Sequence, residues 1–98
     1  MAPTPHIEIF HAEICGLCKK ALAYFKEGQW PVIAKEVYWD AGADRFVDSE
    51  NTRELYARCG QVDFVPQIFI NGAHIPGWRK LEPMIKSGEL DRLVSQPE

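Results

Sequence analysis

Two cysteines separated by two residues are the feature of this sequence best suited to chemistry. Cys15 and Cys18 form a C-x-x-C motif between a predicted strand and a predicted helix. A cysteine in the first turn of a helix faces unsatisfied backbone N–H groups and the positive end of the helix dipole, and both favour the reactive thiolate. The sequence therefore predicts a redox pair in which Cys15 attacks a disulfide and Cys18 resolves the mixed disulfide.

Neighbouring residues supply positive charge, and the spacing of the motif permits a disulfide. Gly16 belongs to the helix N-terminus, and Lys19 and Lys20 lie one turn further on, where their charges also favour a thiolate at Cys15. The i, i+3 spacing places both cysteines on one helical face, with Cβ atoms about 5–6 Å apart. A modest local shift is then enough to close the disulfide.

The same motif is half of a common zinc site, which is the first alternative. Such a site needs two further ligands, and His11 and Cys59 are the candidates. The sequence has no second C-x-x-C and no paired histidine motif. It therefore favours redox chemistry, and no metal is expected. Cys59 otherwise lies on an apolar helical face, where we expect an inert core thiol rather than a regulatory one.

Length and composition limit the remaining classes of function. The chain has 98 residues, so we expect one domain over residues 1–98, and 46% hydrophobic with 26% charged residues is ordinary for a soluble protein. A net charge of −3 gives no argument for a nucleic-acid or anionic-membrane partner, and none is expected. We see neither a secretory signal nor an apolar run of the ~20 residues that a membrane span needs. A cytoplasmic monomer is the expectation.

Hydrophobic patterns predict the elements that position the motif. Four strands are expected, over residues 6–11, 32–39, 65–70 and 73–75. Three helices and a final helical turn are expected, over residues 19–27 with the C-x-x-C motif at the first turn, 51–59, 78–86 and 89–94. Asn51 is the predicted N-cap of the second helix, and residues 40–48 are predicted to form a loop. The order βαβ–αββα predicts an α/β fold with a four-stranded mixed sheet flanked by helices.

The pattern as a whole resembles the glutaredoxins, which have a thioredoxin-like fold. The strand, the C-x-x-C motif and the helix are followed about fifty residues after Cys15 by VPQIFING at residues 65–72. The resemblance covers residues 6–93 and implies a protein-disulfide oxidoreductase with a dithiol mechanism, serving electron transport and cell redox homeostasis. It also implies that Pro66 is a cis-proline beside Cys15 and that Val65 pairs with an extended substrate.

The resemblance further implies a groove for glutathione, but two of its usual residues are changed. Glutaredoxins commonly carry a lysine three residues before the first cysteine and an aromatic residue just before the second. This chain has Ala12 and Leu17 at those positions. Leu17 is still expected to line the groove, whereas glutathione itself becomes only a possible cofactor or reductant.

The far wall of the groove is expected at Gly77, Trp78 and Arg79. Glutaredoxins have an acidic pair in this segment that holds the γ-glutamyl end of glutathione, where this chain has Arg79 and Lys80. The Gly-Trp-Arg run resembles instead the redoxins that serve ribonucleotide reductase and are reduced by thioredoxin reductase. The substrate is therefore expected to be a disulfide-containing protein or a glutathione mixed disulfide, with glutathione or a thioredoxin reductase as electron donor.

A carrier of a metal or an iron–sulfur cluster is the alternative from another class of function. Some glutaredoxins with a glycine after the first cysteine bridge such a cluster in a dimer, with glutathione as co-ligand. Gly16 permits this arrangement, while the altered glutathione residues argue against it. A visible absorption spectrum and a metal analysis of freshly purified protein would separate a carrier from a reductase.

Overall fold

Four helices and six short strands make up the part of the chain that this computed structural model describes, residues 5–13 and 15–95. In chain order they are β1 (Ile7–His11), α1 (Gly16–Glu27), β2 (Val32–Glu36), β3 (Trp39–Asp40), β4 (Arg45–Phe46), α2 (Glu50–Cys59), β5 (Gln67–Ile70), β6 (Ala73–Pro76), α3 (Trp78–Ser87) and α4 (Glu89–Ser95). None of these helices is long and apolar enough to cross a membrane.

The main sheet has the strand order β2-β1-β5-β6. Strand β1 is parallel to β2 and antiparallel to β5, and β5 is antiparallel to β6. The predicted four-stranded mixed sheet is confirmed. Because β1, β2 and β6 all run the same way, α1 and α3 begin at the same end of the sheet, and the loop that leads into β5 lies there too.

Alternating side chains on the central strands create one hydrophobic core on each face of the sheet. The larger core packs against α1, α3 and α4 and includes Ile7, Ile9, Phe25, Ile68, Leu81 and Leu90. The smaller core packs against α2 and includes Phe10, Phe46, Leu55 and Phe69. The sheet is therefore a middle layer with helices on both faces.

Residues 40–48, for which the sequence predicts a loop, contain most of a small antiparallel hairpin. Strand β3 pairs with β4, with Trp39 opposite Phe46. Phe46 is only 2% exposed, and its ring meets that of Trp39 edge-on with centroids 5.0 Å apart. Burial of Phe46 stabilises the hairpin. Its strands have only two residues each, too few to show an alternating pattern in the sequence. The strand predicted over residues 32–39 correspondingly ends at Glu36.

The predicted N-cap of α2 is also wrong. Helix α2 begins one residue before Asn51, and Ser49 is its N-cap. The backbone N–H of Thr52 donates to Ser49 Oγ at 3.1 Å. Asn51 Nδ2 instead donates to the carbonyl oxygen of Glu36 at 2.9 Å, which ties the start of α2 to the end of β2.

Ion pairs fasten α2 to the sheet around a buried carboxylate. Glu8 Oε2 lies 2.7 Å from Arg58 Nη1 and 3.0 Å from Lys35 Nζ. Glu54 Oε2 lies 3.0 Å and 2.6 Å from the same two nitrogens. Burial raises the pKa of Glu8, but the hydrogen bonds from Arg58, Lys35 and His6 outweigh it and lower that pKa to about 2. Glu8 is therefore ionised at neutral pH. We call these four charges, Glu8, Lys35, Glu54 and Arg58, the α2 network.

Candidate active site

The C-x-x-C motif lies where β1 gives way to α1. Cys15 is the N-cap of α1, with an extended backbone, and its Sγ accepts a hydrogen bond from the backbone N–H of Cys18 at 3.1 Å. Both cysteines are free thiols; Cys15 is half-buried, whereas Cys18 is 1% exposed. Cys15 is therefore the thiol of the pair that a disulfide outside the protein can reach.

Burial makes the two thiols chemically unequal. Burial first, and then the hydrogen bond between Cys18 and Cys15, together raise the pKa of Cys18 to about 12. The Cys18 thiol therefore stays protonated at neutral pH while both cysteines are reduced. The accessible Cys15 sulfur is therefore the first to meet a substrate, and the buried Cys18 thiol lies beside it in its protonated form.

The loop before β5 brings residues from the second half of the chain to Cys15. The Cys15 thiol donates to the carbonyl oxygen of Val65 at 3.4 Å, a contact across 50 residues of sequence. The peptide bond between Val65 and Pro66 is cis, as the resemblance implies. Both residues precede β5, which begins at Gln67 rather than at residue 65, because proline has no N–H to donate to the sheet.

A groove of about 420 Å³ opens between this loop and the first turns of α1 and α3. It is lined by Leu17, Phe64, Val65, Pro66, Pro76, Gly77, Trp78 and Arg79. All six residues that the sequence assigns to the groove are thus brought together. Their contact with a substrate stays a prediction.

Sequence reasoning misses Phe64 and Pro76 as groove residues. The Phe64 ring is 46% exposed and covers Gly77, where an added Cβ would lie 3.4 Å from the ring. Gly77 has a φ of +95°, a conformation that residues with a Cβ rarely adopt. The position of an aromatic residue two places before the predicted cis-proline is the signal that could have identified Phe64.

Gly16, Lys19 and Lys20 lie at the exposed surface of the first turns of α1. A Cβ at Gly16 would meet no atom within 4 Å, so packing does not require glycine there. Neither lysine forms an ion pair within the described residues. Their effect on Cys15 stays a prediction.

The third cysteine has a different environment. Cys59 Sγ lies 3.6 Å from His74 Nε2, which is 2.7 Å from Gln67 Oε1. Cys59 is partly buried beside the smaller core, and burial raises its pKa; its lack of reactivity stays a prediction. Within residues 5–13 and 15–95, no three or more His, Cys, Asp or Glu side chains gather into a metal-ligand set, so the zinc set with His11 and Cys59 is not assembled there. The prediction that the protein has no metal, and the cluster-carrier alternative, both stay untested.

Comparison of the sequence with known proteins gives a related glutaredoxin. No protein-family model matches the chain. Over 89 residues it is 35% identical to Glutaredoxin-C4 of Arabidopsis thaliana, a match that covers 90% of this chain and 61% of the relative. The chain thus spans about three fifths of the length of that relative.

Solved glutaredoxin structures share the fold. The dithiolic glutaredoxin of Trypanosoma brucei brucei superimposes with a TM-score of 0.68 at 27% identity, covering 91% of this chain and 86% of the other. The Brucella melitensis glutaredoxin gives 0.65 at 27% identity, with coverage of 92% and 88%. This chain is a glutaredoxin-like protein of the thioredoxin fold. A buckwheat glutaredoxin–glutathione complex matches this glutaredoxin-like chain in fold, with a TM-score of 0.68 at 21% identity, over 92% of this chain and 76% of its own.

Proposed function

We propose that this glutaredoxin-like protein is a thiol–disulfide oxidoreductase that reduces disulfides with the thiols of Cys15 and Cys18. The hydrogen bonding of Cys15 carries the proposal: its sulfur accepts from the Cys18 N–H and donates to the Val65 carbonyl. These two bonds hold a half-buried sulfur at a helix N-terminus and beside the wall of an apolar groove. That position suits a nucleophile whose substrate lies along the groove.

The proposed reaction balances within the protein and its substrate. Cys15 loses its proton and attacks one substrate sulfur; a bond between them forms as the substrate S–S bond breaks, and the departing thiolate takes up a proton. Cys18 then loses its proton and attacks Cys15 Sγ, which releases the second substrate thiol in the same way. Two protein thiols are oxidised to one disulfide, and one substrate disulfide is reduced to two thiols.

The environment of Cys18 orders these two steps. While Cys15 is a thiol, burial and the Cys15 hydrogen bond keep the pKa of Cys18 high, so Cys18 is a poor nucleophile. Once Cys15 carries the substrate, that hydrogen bond between two thiols no longer exists, and Cys18 loses its proton more readily. Attack by Cys18 is thereby confined to the mixed disulfide beside it.

Glutathione is a candidate partner because a buckwheat protein of the same fold was solved in complex with it. In the present chain Arg79 lines the groove in the segment where glutaredoxins have an acidic pair, so the ammonium group of glutathione lacks its usual partner there. The proposal therefore includes a thioredoxin reductase as the other possible electron donor. We also propose that the protein works as a monomer in the cytoplasm. Reduction of the oxidised protein should be timed with glutathione and its reductase, and separately with thioredoxin reductase and NADPH. If thioredoxin reductase reduces the protein quickly and glutathione does not, glutathione is excluded as the electron donor.

Cysteine variants test the dithiol mechanism. With bis(2-hydroxyethyl) disulfide as substrate, Cys15→Ser should lower single-turnover reduction to the uncatalysed rate, because the accessible nucleophile is gone. Cys18→Ser should accumulate a mixed disulfide at Cys15, seen as added mass that dithiothreitol removes. Cys59→Ser is the matched control and should keep the wild-type rate. Wild-type turnover by Cys15→Ser would refute the mechanism.

A further inference from the structure

Four exposed cations lie at the N-termini of the two helices that border the groove. Lys19 and Lys20 are in the first turns of α1, and Arg79 and Lys80 are in the first turn of α3. In the described part of the chain, none of the four forms an ion pair. The protein carries a net charge of −3, so this concentration of positive charge is local.

Helix electrostatics do not account for these cations. A helix N-terminus carries partial positive charge and favours acidic residues in its first turn. Helices α2 and α4 follow this preference with Glu50 and with Glu89 and Asp91, whereas α1 and α3 have no acidic residue there. The two helices that depart from the preference are the two that border the groove.

Arg79 is the charged residue of the groove lining, whose other members are apolar residues and Gly77. Glu82, one turn further along α3, does not pair with Arg79 in the described residues. The Arg79 guanidinium is therefore available to a ligand. An apolar wall with one exposed guanidinium complements a polypeptide segment that has apolar side chains and a carboxylate.

We propose that the groove selects disulfides carried by acidic polypeptide segments, and that Arg79 is the specificity-determining residue. This inference rests on the proposed oxidoreductase function. The substrate sulfur must reach Cys15, whose thiol lies 3.4 Å from the carbonyl oxygen of Val65. Val65 and Arg79 line the same groove, so a segment that follows the groove from Cys15 brings a nearby acidic side chain to Arg79.

A peptide series with one variable charge tests the selection. Each peptide has the same apolar sequence, one cysteine in a mixed disulfide with neutral 2-mercaptoethanol, and Glu, Gln or Lys on both sides of the cysteine. Reduced wild-type protein at low ionic strength should react fastest with the Glu peptide and slowest with the Lys peptide, by about two- to fivefold per step. Raising the salt to 1 M should shrink these ratios.

Variants of Arg79 assign the selection to one side chain. Arg79→Gln should bring the three rates within about twofold, and Arg79→Glu should reverse their order, because the charge facing the peptide is removed or inverted. Arg92→Glu in α4, an exposed cation outside the groove lining, is the matched control and should keep the wild-type order. Circular dichroism checks that each variant is folded.

Three outcomes overturn the inference while leaving the oxidoreductase function intact. They are equal rates for the three peptides, a wild-type order that persists in Arg79→Gln, and fast reduction of glutathione mixed disulfides whatever the peptide charge. In each case bis(2-hydroxyethyl) disulfide is still reduced. Failure to reduce any disulfide, including this one, would instead refute the proposed function itself.

Discussion

The cations of the α2 network have ion-pair partners within the protein, whereas the cations at the groove do not have such partners among the described residues. Lys35 and Arg58 each lie within ion-pair distance of both Glu8 and Glu54, and the Arg58 guanidinium also lies 3.8 Å above the centre of the Phe69 ring. Every charge in this network has partners inside the chain. At the groove, by contrast, the cations have none among the described residues, so their charge is left for a ligand.

This contrast separates the charges that stabilise the fold from the charges that are available to bind a ligand. The Glu8 side chain is 11% exposed, so its charge has lost most of its water and depends on Lys35 and Arg58. Removing a buried charge leaves its partner charges less well compensated, which lowers the stability of the fold. Arg79 is exposed, so removing its charge leaves no buried group unpaired. Changes in the α2 network should therefore alter stability, and changes at the groove should alter reactivity.

Removing the central charge of the α2 network should change stability more than any other substitution considered below. Glu8→Gln should lower the free energy of unfolding by about 3 kcal/mol, because Lys35 and Arg58 lose their most buried partner. Urea denaturation at pH 7 measures this loss. The rate of disulfide reduction per folded molecule should be unchanged, since Glu8 does not line the groove.

A surface ion pair is the control for Glu8→Gln. Asp48 and Arg53 are bridged at 2.8 Å but are 61% and 73% exposed, so Asp48→Asn should leave the free energy of unfolding almost unchanged. Equal losses in the two variants would show that burial does not distinguish the network from the surface.

Acid should weaken the α2 network in a defined pH window. The folded-state pKa of Glu8, about 2, lies below its ordinary value of 4.5, so its contribution is complete above about pH 4.5 and is lost as the pH falls toward 2. For this group alone we expect a loss of about 2 kcal/mol between pH 6 and pH 3. Urea titrations at both pH values should show this extra loss in wild type but not in Glu8→Gln. Parallel losses in the two proteins would contradict the assignment to Glu8.

A smaller effect on stability, with a clear effect on reactivity, is expected at Gly77. Gly77→Ala should cost about 1 kcal/mol through its positive φ, and its Cβ would press on the Phe64 ring in the groove. Gly72→Ala has a similar φ of +85° but open space around it, in the turn between β5 and β6 at the opposite end of the sheet. Both variants should lose similar stability in urea, and only Gly77→Ala should slow disulfide reduction. Equal slowing by both would place the effect outside the groove.

The main sheet and the position of the two cysteines can be predicted from the sequence. Alternating apolar residues in β1, the turn at Asn71 and Gly72, and the helix after Cys15 are all local patterns. Because these patterns are local, the fold class and the position of both cysteines follow from the sequence. The hairpin of β3 and β4 does not, because its stability comes from burial of Phe46 in a core assembled from distant segments.

Contacts between residues far apart in sequence explain the other places where the structure differs from the predictions made from the sequence. Lys35 interrupts the alternation of apolar and polar residues in β2. Its side chain donates to Glu8, 27 residues away in sequence, and to Glu54, 19 residues away. Asn51 is a plausible cap by sequence, but Glu36 engages its side chain and leaves Ser49 as the cap. The groove residues that the resemblance names do come together, whereas Phe64 is marked only by its position two residues before the cis-proline.

The contact between Cys15 and Val65 has a consequence for molecules that are not fully folded. The two cysteines are neighbours in sequence, so an unfolded chain keeps a dithiol capable of exchange with any disulfide that it meets. The groove joins the start of α1 to residues 64–66 and 76–79, and it exists only when β5 and β6 are in place. If the proposed function is correct, folding adds selectivity to a reactivity that the unfolded chain already has, and partial unfolding would make this protein less selective without removing its thiol reactivity.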